Sequence, residues 1–102
     1  MAYGVITEVD APAETYDQVH AEVVRRAGPN SPGLLLHVGR ATDQGFQVIE
    51  VWESKEHFAA FNRDVMHPLM MELAGDAPPP APPQIEEFEP RGLVIPSAEL
   101  WH

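Results

Sequence analysis

The sequence of 102 residues contains no cysteine. Disulfides, thiolate metal sites and cysteine nucleophiles are therefore excluded, and the cytoplasm is the expected location. The sequence also lacks a His-Glu-x-x-His motif, and its five histidines never stand four residues apart. The seven glycines are scattered and do not form a loop that would cradle phosphate. We therefore expect neither a metal ion nor a cofactor.

Basic residues are scarce, six against 16 acidic residues, and the formal net charge is −10. Such a surface repels the phosphates of nucleic acids and the headgroups of anionic lipids. No apolar run approaches the roughly 20 residues that a membrane span needs, and the first residues lack the pattern of a secretion signal. We expect no nucleic-acid partner and no membrane partner.

The sequence does contain apolar patterns that alternate with turn residues. Period-two and continuous apolar runs predict strands, and spacings of three and four residues predict helices. Pro68 should kink the second helix near Val65, because proline has no N–H to donate. The predicted order is β-α-β-β-α-β: strand 3–9, a helix ending near Arg26, strands 34–40 and 46–52, a helix beginning after Ser54, and strand 84–88.

We expect one domain, residues 1–95, to contain all of these elements. Residues 75–83 are rich in proline and predict a stiff spacer that returns the chain to the sheet. A ligand for a proline-recognising domain is the alternative. Residues 93–95 could extend the last strand, and 96–102 form a C-terminal tail.

The predicted order gives an α+β fold, an antiparallel sheet with both helices on one face. The open face of such a sheet is normally polar at every second position. Here residues 34–36 are all leucine and the next strand carries Val48, Ile49 and Val51, so both faces of these strands are expected to be buried. The tail is too short to cover the open face. A second copy of the chain would cover it, which predicts a homodimer.

Three segments carry a resemblance to a known superfamily: the strand Gly33-Leu-Leu-Leu-His-Val-Gly39, the stretch Gly45-Phe-Gln-Val-Ile-Glu-Val-Trp-Glu-Ser54, and the helix with Phe58, Phe61 and Pro68. The sequence resembles the dimeric α/β-barrel (ferredoxin-like) superfamily, and within it the antibiotic biosynthesis monooxygenase-like group. This resemblance implies a homodimeric barrel and a pocket for a small apolar or aromatic ligand. The group includes cofactor-independent monooxygenases, polyketide cyclases, haem-degrading enzymes and muconolactone-isomerase-like proteins.

Ionisable side chains in unusual places are the candidate catalytic residues His37, Glu50 and His67. Imidazole is suited to proton transfer at neutral pH, although His37 could equally be a core histidine with one satisfied hydrogen bond. Glu50 stands among apolar neighbours and needs solvent, a partner or a cavity. His67 precedes the kink at Pro68, which could open a pocket mouth, and a solvated histidine is its alternative.

The register of the hairpin decides whether His37 and Glu50 meet. A two-residue turn at Asp43-Gln44 would place them directly opposite each other. A bulged three-residue turn, with Gly45 in the left-handed conformation, would shift the register by one residue and separate them. The sequence Asp-Gln-Gly is compatible with the bulged turn, and both alternatives stay open.

Aromatic and flexible side chains nearby could line a substrate pocket. Trp52 ends a strand just before a helix and could stack on an aromatic substrate or serve as a core aromatic. The other expected substrate-binding residues are Tyr3, Phe58, Phe61, Asn62, Met66 and Met70, and the methionines could equally fill the core. Three further histidines are expected at the surface: His20, His57 and His102.

These features favour a cofactor-independent enzyme, either a monooxygenase or a cyclase or isomerase. It would act on a bulky, polyketide-like or phenolic substrate by base-assisted proton abstraction. A non-catalytic small-molecule-binding or stress-associated protein is the alternative, and a purely structural dimer without a pocket is the third.

Overall fold

A computed structural model describes residues 2–27, 31–75 and 83–94. The elements are β1 (Tyr3–Val9), α1 (Ala13–Ala27), β2 (Leu34–Thr42), β3 (Gly45–Trp52), α2 (Lys55–Phe61), a π-helical turn (Asn62–Met66), α3 (His67–Ala74) and β4 (Gln84–Phe88). The predicted α+β order is confirmed, and β1 and β4 have the predicted bounds. Residues 92–94 are not a strand, so the predicted extension of β4 is wrong there. Most of the proline-rich segment and the tail lie outside the described residues.

The four strands form one sheet in the order β2-β3-β1-β4, and every neighbouring pair is antiparallel. β1, α1 and β2 form a βαβ unit that is split by β3, and β3, α2, α3 and β4 repeat this arrangement around β1. Helices α1 and α2 contact the same face of the sheet. The predicted ferredoxin-like fold class is confirmed, whereas the barrel built from two chains stays a prediction.

Between the sheet and the helices lies a small apolar core. Val5, Trp52 and Leu69 are almost completely buried, and Phe46 is nearly so. Val51 is also buried, but it lies on the other face of the sheet, opposite Leu36 and Gly4. The indole of Trp52 contacts the rings of Phe58 and Phe61, which α2 presents to the sheet. Large buried side chains of this kind stabilise a fold by several kcal/mol each, on the order of 3–5 for a buried aromatic ring.

A π-helical turn separates α2 from α3. Pro68 has no N–H, and in a regular helix its ring would collide with the carbonyl of the residue four positions earlier, Asp64. The helix widens instead, and the N–H of His67 donates to the carbonyl of Asn62, five residues back. The break therefore includes Val65, where the kink was predicted.

The sheet face away from the helices is apolar over only part of its area. Leu36 and Val38 of the edge strand β2 are 37% and 43% exposed, so the single chain leaves this face of the strand uncovered, and its burial by a second copy stays a prediction. Farther along the same face, Arg40, Gln47 and Glu8 form a hydrogen-bonded polar row across three strands.

Candidate functional site

The hairpin of β2 and β3 adopts the register that brings His37 and Glu50 together. Thr42 pairs with Gly45 across a two-residue turn, and His37 pairs with Glu50. Gly45 has φ near 158°, far from the left-handed value of about 57° that the bulged alternative requires. The irregularity lies at the opposite end of the hairpin, where Leu35 has no partner.

His37 and Glu50 form a hydrogen-bonded pair on the helix-covered face. The His37 Nδ1 atom lies 2.7 Å from Glu50 Oε2. The other carboxylate oxygen, Oε1, accepts a hydrogen bond of 3.2 Å from the indole Nε1 of Trp52. The two side chains of the pair are 25% and 14% exposed. Both oxygens of Glu50 therefore have a donor, which fixes the orientation of the carboxylate.

Tyr16, on α1, completes this arrangement and was not predicted as a site residue. Its hydroxyl oxygen lies 2.8 Å from Nε2 of His37 and 3.3 Å from Nδ1 of His20. The rings of Tyr16, His20 and His37 are parallel within 17°. The sequence placed Tyr16 in the apolar stripe of its helix. Its spacing of four residues from His20, which puts both side chains on one helix face, was the signal that could have revealed it.

Burial raises the pKa of Tyr16 above its ordinary value, and the negative charges of Glu50 and Asp17 raise it further. The phenol therefore keeps its proton at neutral pH. An indole can only donate and a carboxylate can only accept. With Glu50 as a carboxylate and His37 as a neutral ring, the hydrogen of His37 therefore lies on Nδ1 and points to Glu50, and Nε2 accepts from the Tyr16 hydroxyl. We call Trp52, Glu50, His37 and Tyr16 the polar array.

The backbone of β2 provides room for Tyr16. Gly39 lies two residues after His37 and hence on the same face of the strand. A Cβ atom added to Gly39 would collide with Cζ and with the hydroxyl of Tyr16. The ring of Phe46 lies against the phenol, with centroids 5.5 Å apart. The phenol thus occupies a space over Gly39 that a side chain at position 39 would fill.

Three of the predicted pocket aromatics are packed against one another. Trp52 has no exposed surface, and such an indole presents no face to a ligand in this structure. Phe58 and Phe61 cover it. Tyr3 contacts Phe58 and donates a hydrogen bond of 2.7 Å to Glu87. Burial, followed by the hydrogen bond and charge of Glu87, raises the pKa of Tyr3 to about 12.

The predicted residues of the second helix stand apart from the polar array. His67 is exposed at the start of α3 and Met70 is 40% exposed, whereas Asn62 and Met66 are half-buried. Among the described residues, no side-chain hydrogen bond or ion pair joins any of the four to the polar array. The predicted roles of these four residues in a pocket stay predictions.

Of the histidines expected at the surface, His20 is half-buried, which corrects the prediction for it, whereas His57 keeps 41% of its side chain exposed. His20 contacts Tyr16 and His37, as described above. His57 accepts or donates a hydrogen bond of 2.7 Å with the hydroxyl of Ser54, the residue that caps α2. His102 lies outside the described residues.

Two open depressions in the surface of the described residues lie away from His37 and Glu50. One, of about 620 Å³, lies beside Tyr3, Ser54 and Phe88. The other, of about 450 Å³, lies beside the β2–β3 turn. Within the same residues, no group of three His, Cys, Asp or Glu side chains could hold a metal ion. No helix of the described ranges is long and apolar enough to cross a membrane.

Comparison with known proteins concerns the fold. No family model and no curated protein matches the sequence. Among solved structures, the chain is similar to a presumed antibiotic biosynthesis monooxygenase from Chloroflexus aurantiacus, with 21% identity and a TM-score of 0.65 over 92% of this chain and 97% of the other. The chain has the ferredoxin-like fold of the antibiotic biosynthesis monooxygenase-like proteins. The superfamily resemblance predicted from the sequence is thereby confirmed.

Other structures with this fold differ in chemistry. A monooxygenase from Streptomyces coelicolor, solved with nanaomycin D, is 26% identical, with a TM-score of 0.54 over 94% of this chain and 91% of the other. The haem-degrading protein MhuD from Mycobacterium tuberculosis, solved with two haems, is 25% identical, with a TM-score of 0.54 over 90% and 98%. The fold alone therefore does not determine the reaction.

In the polar array, His37 has no ring nitrogen without a hydrogen-bond partner that could coordinate haem iron. Both ring nitrogens of His37 already take part in hydrogen bonds, to Glu50 and to Tyr16. His67, a histidine at the start of α3, is exposed. The array fits proton transfer better, because its four members form one continuous series of hydrogen bonds.

Proposed function

We propose that the protein is a cofactor-independent enzyme that abstracts a proton from a bulky apolar or phenolic substrate. His37 is the proton acceptor and Glu50 is the residue that orients it. The hydrogen-bonded polar array supports this proposal, because a base held by a carboxylate on one nitrogen is the arrangement that proton-transfer enzymes use.

Each member of the array has a distinct task in this proposal. Protonation of Nε2 turns His37 into an imidazolium, and the carboxylate of Glu50, 2.7 Å from Nδ1, stabilises the new charge. The indole N–H of Trp52 keeps the carboxylate in place. Trp52 is therefore proposed as a positioning residue and not as a platform on which the substrate stacks.

In the monooxygenase version of the reaction, the substrate carries a methylene group activated by two aromatic rings and a carbonyl. The C–H bond breaks, its electrons stay on carbon, and the proton goes to the base. The carbanion transfers one electron to dioxygen, and the resulting carbon radical and superoxide combine to a peroxide anion. This anion takes a proton back from the imidazolium of His37 and becomes a hydroperoxide. Loss of water from this hydroperoxide leaves a quinone. The ligand nanaomycin D of the Streptomyces coelicolor monooxygenase supports this substrate class. The cyclase or isomerase version uses the same base without oxygen.

Oxygen consumption with dithranol, a dihydroxyanthrone, tests the monooxygenase version. The wild type should accelerate oxygen uptake and quinone formation over the buffer rate. His37→Gln should lower the enzymatic rate by about 100-fold or more, in the range lost with a general base. Glu50→Gln should lower it less, because the imidazole remains. Glu53→Gln, an exposed carboxylate in the same segment, is the matched control and should act like the wild type. A wild-type rate equal to that of buffer contradicts this version.

A non-catalytic protein, either a small-molecule-binding or a structural one, is the second candidate function. One observation favours it: the depressions beside Tyr3 and beside the β2–β3 turn both lie away from His37 and Glu50. In this case the polar array would only fix α1 on the sheet. His37→Ala would then lower the thermal stability while ligand binding stayed unchanged, and no turnover would be found with the wild type.

We also propose that the protein acts as a homodimer through the open sheet face. Leu36 and Val38 are exposed there, and Ile49 lies opposite Val38 on the neighbouring strand. The hydrophobic effect favours covering such a patch. A second copy of the same face would bring the same apolar residues to it, and the polar row of Arg40 and Gln47 would lie at its border.

A further inference from the structure

Both ring nitrogens of His37 are engaged, which raises the question of how a substrate reaches this base. Nδ1 contacts Glu50, and Nε2 contacts the hydroxyl of Tyr16. A substrate that delivered its proton to Nε2 directly would first have to displace that hydroxyl. The alternative is that the hydroxyl itself exchanges the proton with the substrate.

The surroundings of Tyr16 favour a hydroxyl that stays in place. Because Gly39 has no side chain, the phenol can lie directly against the strand. Phe46 packs against its ring. His20 holds the same hydroxyl from the neighbouring turn of α1. Displacing the phenol would break two hydrogen bonds and leave a gap above Gly39.

We infer that Tyr16 is a catalytic residue that passes the substrate proton to His37. This inference rests on the proposed function and names the group that touches the substrate. As the substrate C–H or O–H bond breaks, its electron pair stays on the substrate and its proton bonds to the Tyr16 oxygen. The original hydroxyl proton moves to Nε2 of His37, and the Tyr16 O–H electron pair stays on the oxygen. The result is a substrate anion, a neutral Tyr16 and an imidazolium beside Glu50.

The relay also defines a substrate class. A phenol oxygen can take a proton in passing only from a group whose acidity is near its own, because otherwise the intermediate lies too high in energy. Anthrone-type carbon acids and phenols meet this condition, whereas unactivated C–H bonds do not. The class agrees with the substrate in the proposed function.

Deuterium uptake by dithranol in deuterated water, without oxygen, tests the relay separately from oxygen chemistry. The wild type should accelerate exchange of the methylene protons, followed by mass spectrometry. Tyr16→Phe keeps the ring and removes only the hydroxyl, and it should lower the enzymatic exchange rate by about 100-fold or more. Gln18→Ala, at an exposed position of the same helix, is the control and should leave the rate unchanged.

The outcomes separate the relay from the proposed function. Exchange that is equally fast in Tyr16→Phe overturns the relay and leaves His37 as the direct acceptor. Loss of exchange in Tyr16→Phe supports the relay, even if the wild type takes up no oxygen and the monooxygenase version fails. A wild type that does not accelerate exchange overturns both proposals.

Two additional measurements distinguish a relay from a structural role of Tyr16. Long-range proton–nitrogen NMR spectra should show His37 in the same tautomer in Tyr16→Phe as in the wild type, while the exchange rate falls. If Tyr16→Phe does not fold, Gly39→Ala is the second variant. It keeps the hydroxyl, but its methyl group takes the space over position 39 that the phenol occupies. The relay predicts a similar loss of exchange for it, and an unchanged rate overturns the relay.

Discussion

His37 and Glu50 lie directly opposite each other on β2 and β3, and Nδ1 of one is 2.7 Å from Oε2 of the other. The two-residue turn at the end of the hairpin sets this register. A shift by one residue would have sent His37 to the open face of the sheet. A local feature of the backbone thus determines whether the imidazole of His37 meets the carboxylate of Glu50.

Glu50→Gln should weaken the fold as well as the proposed reaction. The amide can accept from only one of the two donors, Trp52 or His37, through its oxygen, and its NH₂ group faces the other donor. The variant loses a hydrogen bond to a charged group whether His37 keeps its tautomer or changes it to accept from the NH₂ group. Such a bond is worth about 1.5–3 kcal/mol, and urea unfolding should show a loss of this size. Glu53→Gln should change the free energy of unfolding by less than about 0.5 kcal/mol. Equal stability of the two variants would contradict the hydrogen bonds described for Glu50.

Gly39→Ala should destabilise the protein and displace Tyr16. The added methyl group has no space beside the phenol, and overpacking of this kind costs about 1–3 kcal/mol. Gly92→Ala is the matched control, because a Cβ atom there meets no neighbour within 4 Å. Thermal unfolding of both variants checks the prediction, which fails if Gly39→Ala is as stable as Gly92→Ala.

Leu69→Ala should be one of the most damaging truncations in α3. Leu69 has no exposed surface, whereas Leu73, one turn later, is 51% exposed. Truncation of a buried leucine costs about 2–5 kcal/mol because it leaves a cavity. Chemical denaturation should therefore show a much smaller loss for Leu73→Ala. Similar losses for the two variants would mean that α3 packs differently on the sheet.

Alkaline pH should destabilise the fold through its two tyrosines. The pKa of Tyr3 is raised from 10.0 to about 12, and that of Tyr16 is raised as well. Between these values the unfolded chain loses phenol protons that the folded chain keeps. The stabilising contribution is therefore complete below pH 10 and is lost as the pH rises toward 12.

Titration of tyrosinate absorbance and melting temperatures over the same pH range check this prediction. Tyr3→Phe should remove part of the decline in melting temperature, and the remaining tyrosinate transition should belong to Tyr16. A tyrosinate midpoint at the ordinary value for both residues would contradict the burial of Tyr16 and the contact of Tyr3 with Glu87.

Light scattering tests the proposed homodimer. The mass in solution should be twice the 11.3 kDa of the single chain. Val38→Lys places a charge in the exposed apolar patch of the open face and should yield a monomer that remains folded. Val94→Lys changes an exposed side chain outside the sheet and should remain dimeric. A monomeric wild type at micromolar concentration would overturn the dimer.

The sequence predicted the fold well because its strands and helices have clear apolar periods. The segments of β1 and β4 were bounded correctly, and Pro68 marked the break that became the π-helical turn. The sequence could not show that the second face of β2 stays exposed in the single chain. A run such as Leu34-Leu35-Leu36 looks the same whether that face is covered by the same chain or left open.

The site was predictable only in part. His37 and Glu50 were visible as ionisable residues in apolar strands, but the turn sequence Asp-Gln-Gly allowed two registers, and only three-dimensional pairing decides between them. Tyr16 was hidden because an aromatic ring in a helical stripe looks like an ordinary core residue. Its role depends on Gly39, 23 positions away in the sequence, and no local pattern links the two.

The protonation state of His37 tests the account most directly. Long-range proton–nitrogen NMR at neutral pH should show a single tautomer, with the hydrogen on Nδ1 facing Glu50 and a bare Nε2 that accepts from Tyr16. Glu50→Gln should abolish this preference, because a neutral amide can pair with either tautomer. A wild-type His37 that carries its hydrogen on Nε2, or that exchanges freely between both tautomers, would contradict the polar array and the function built on it.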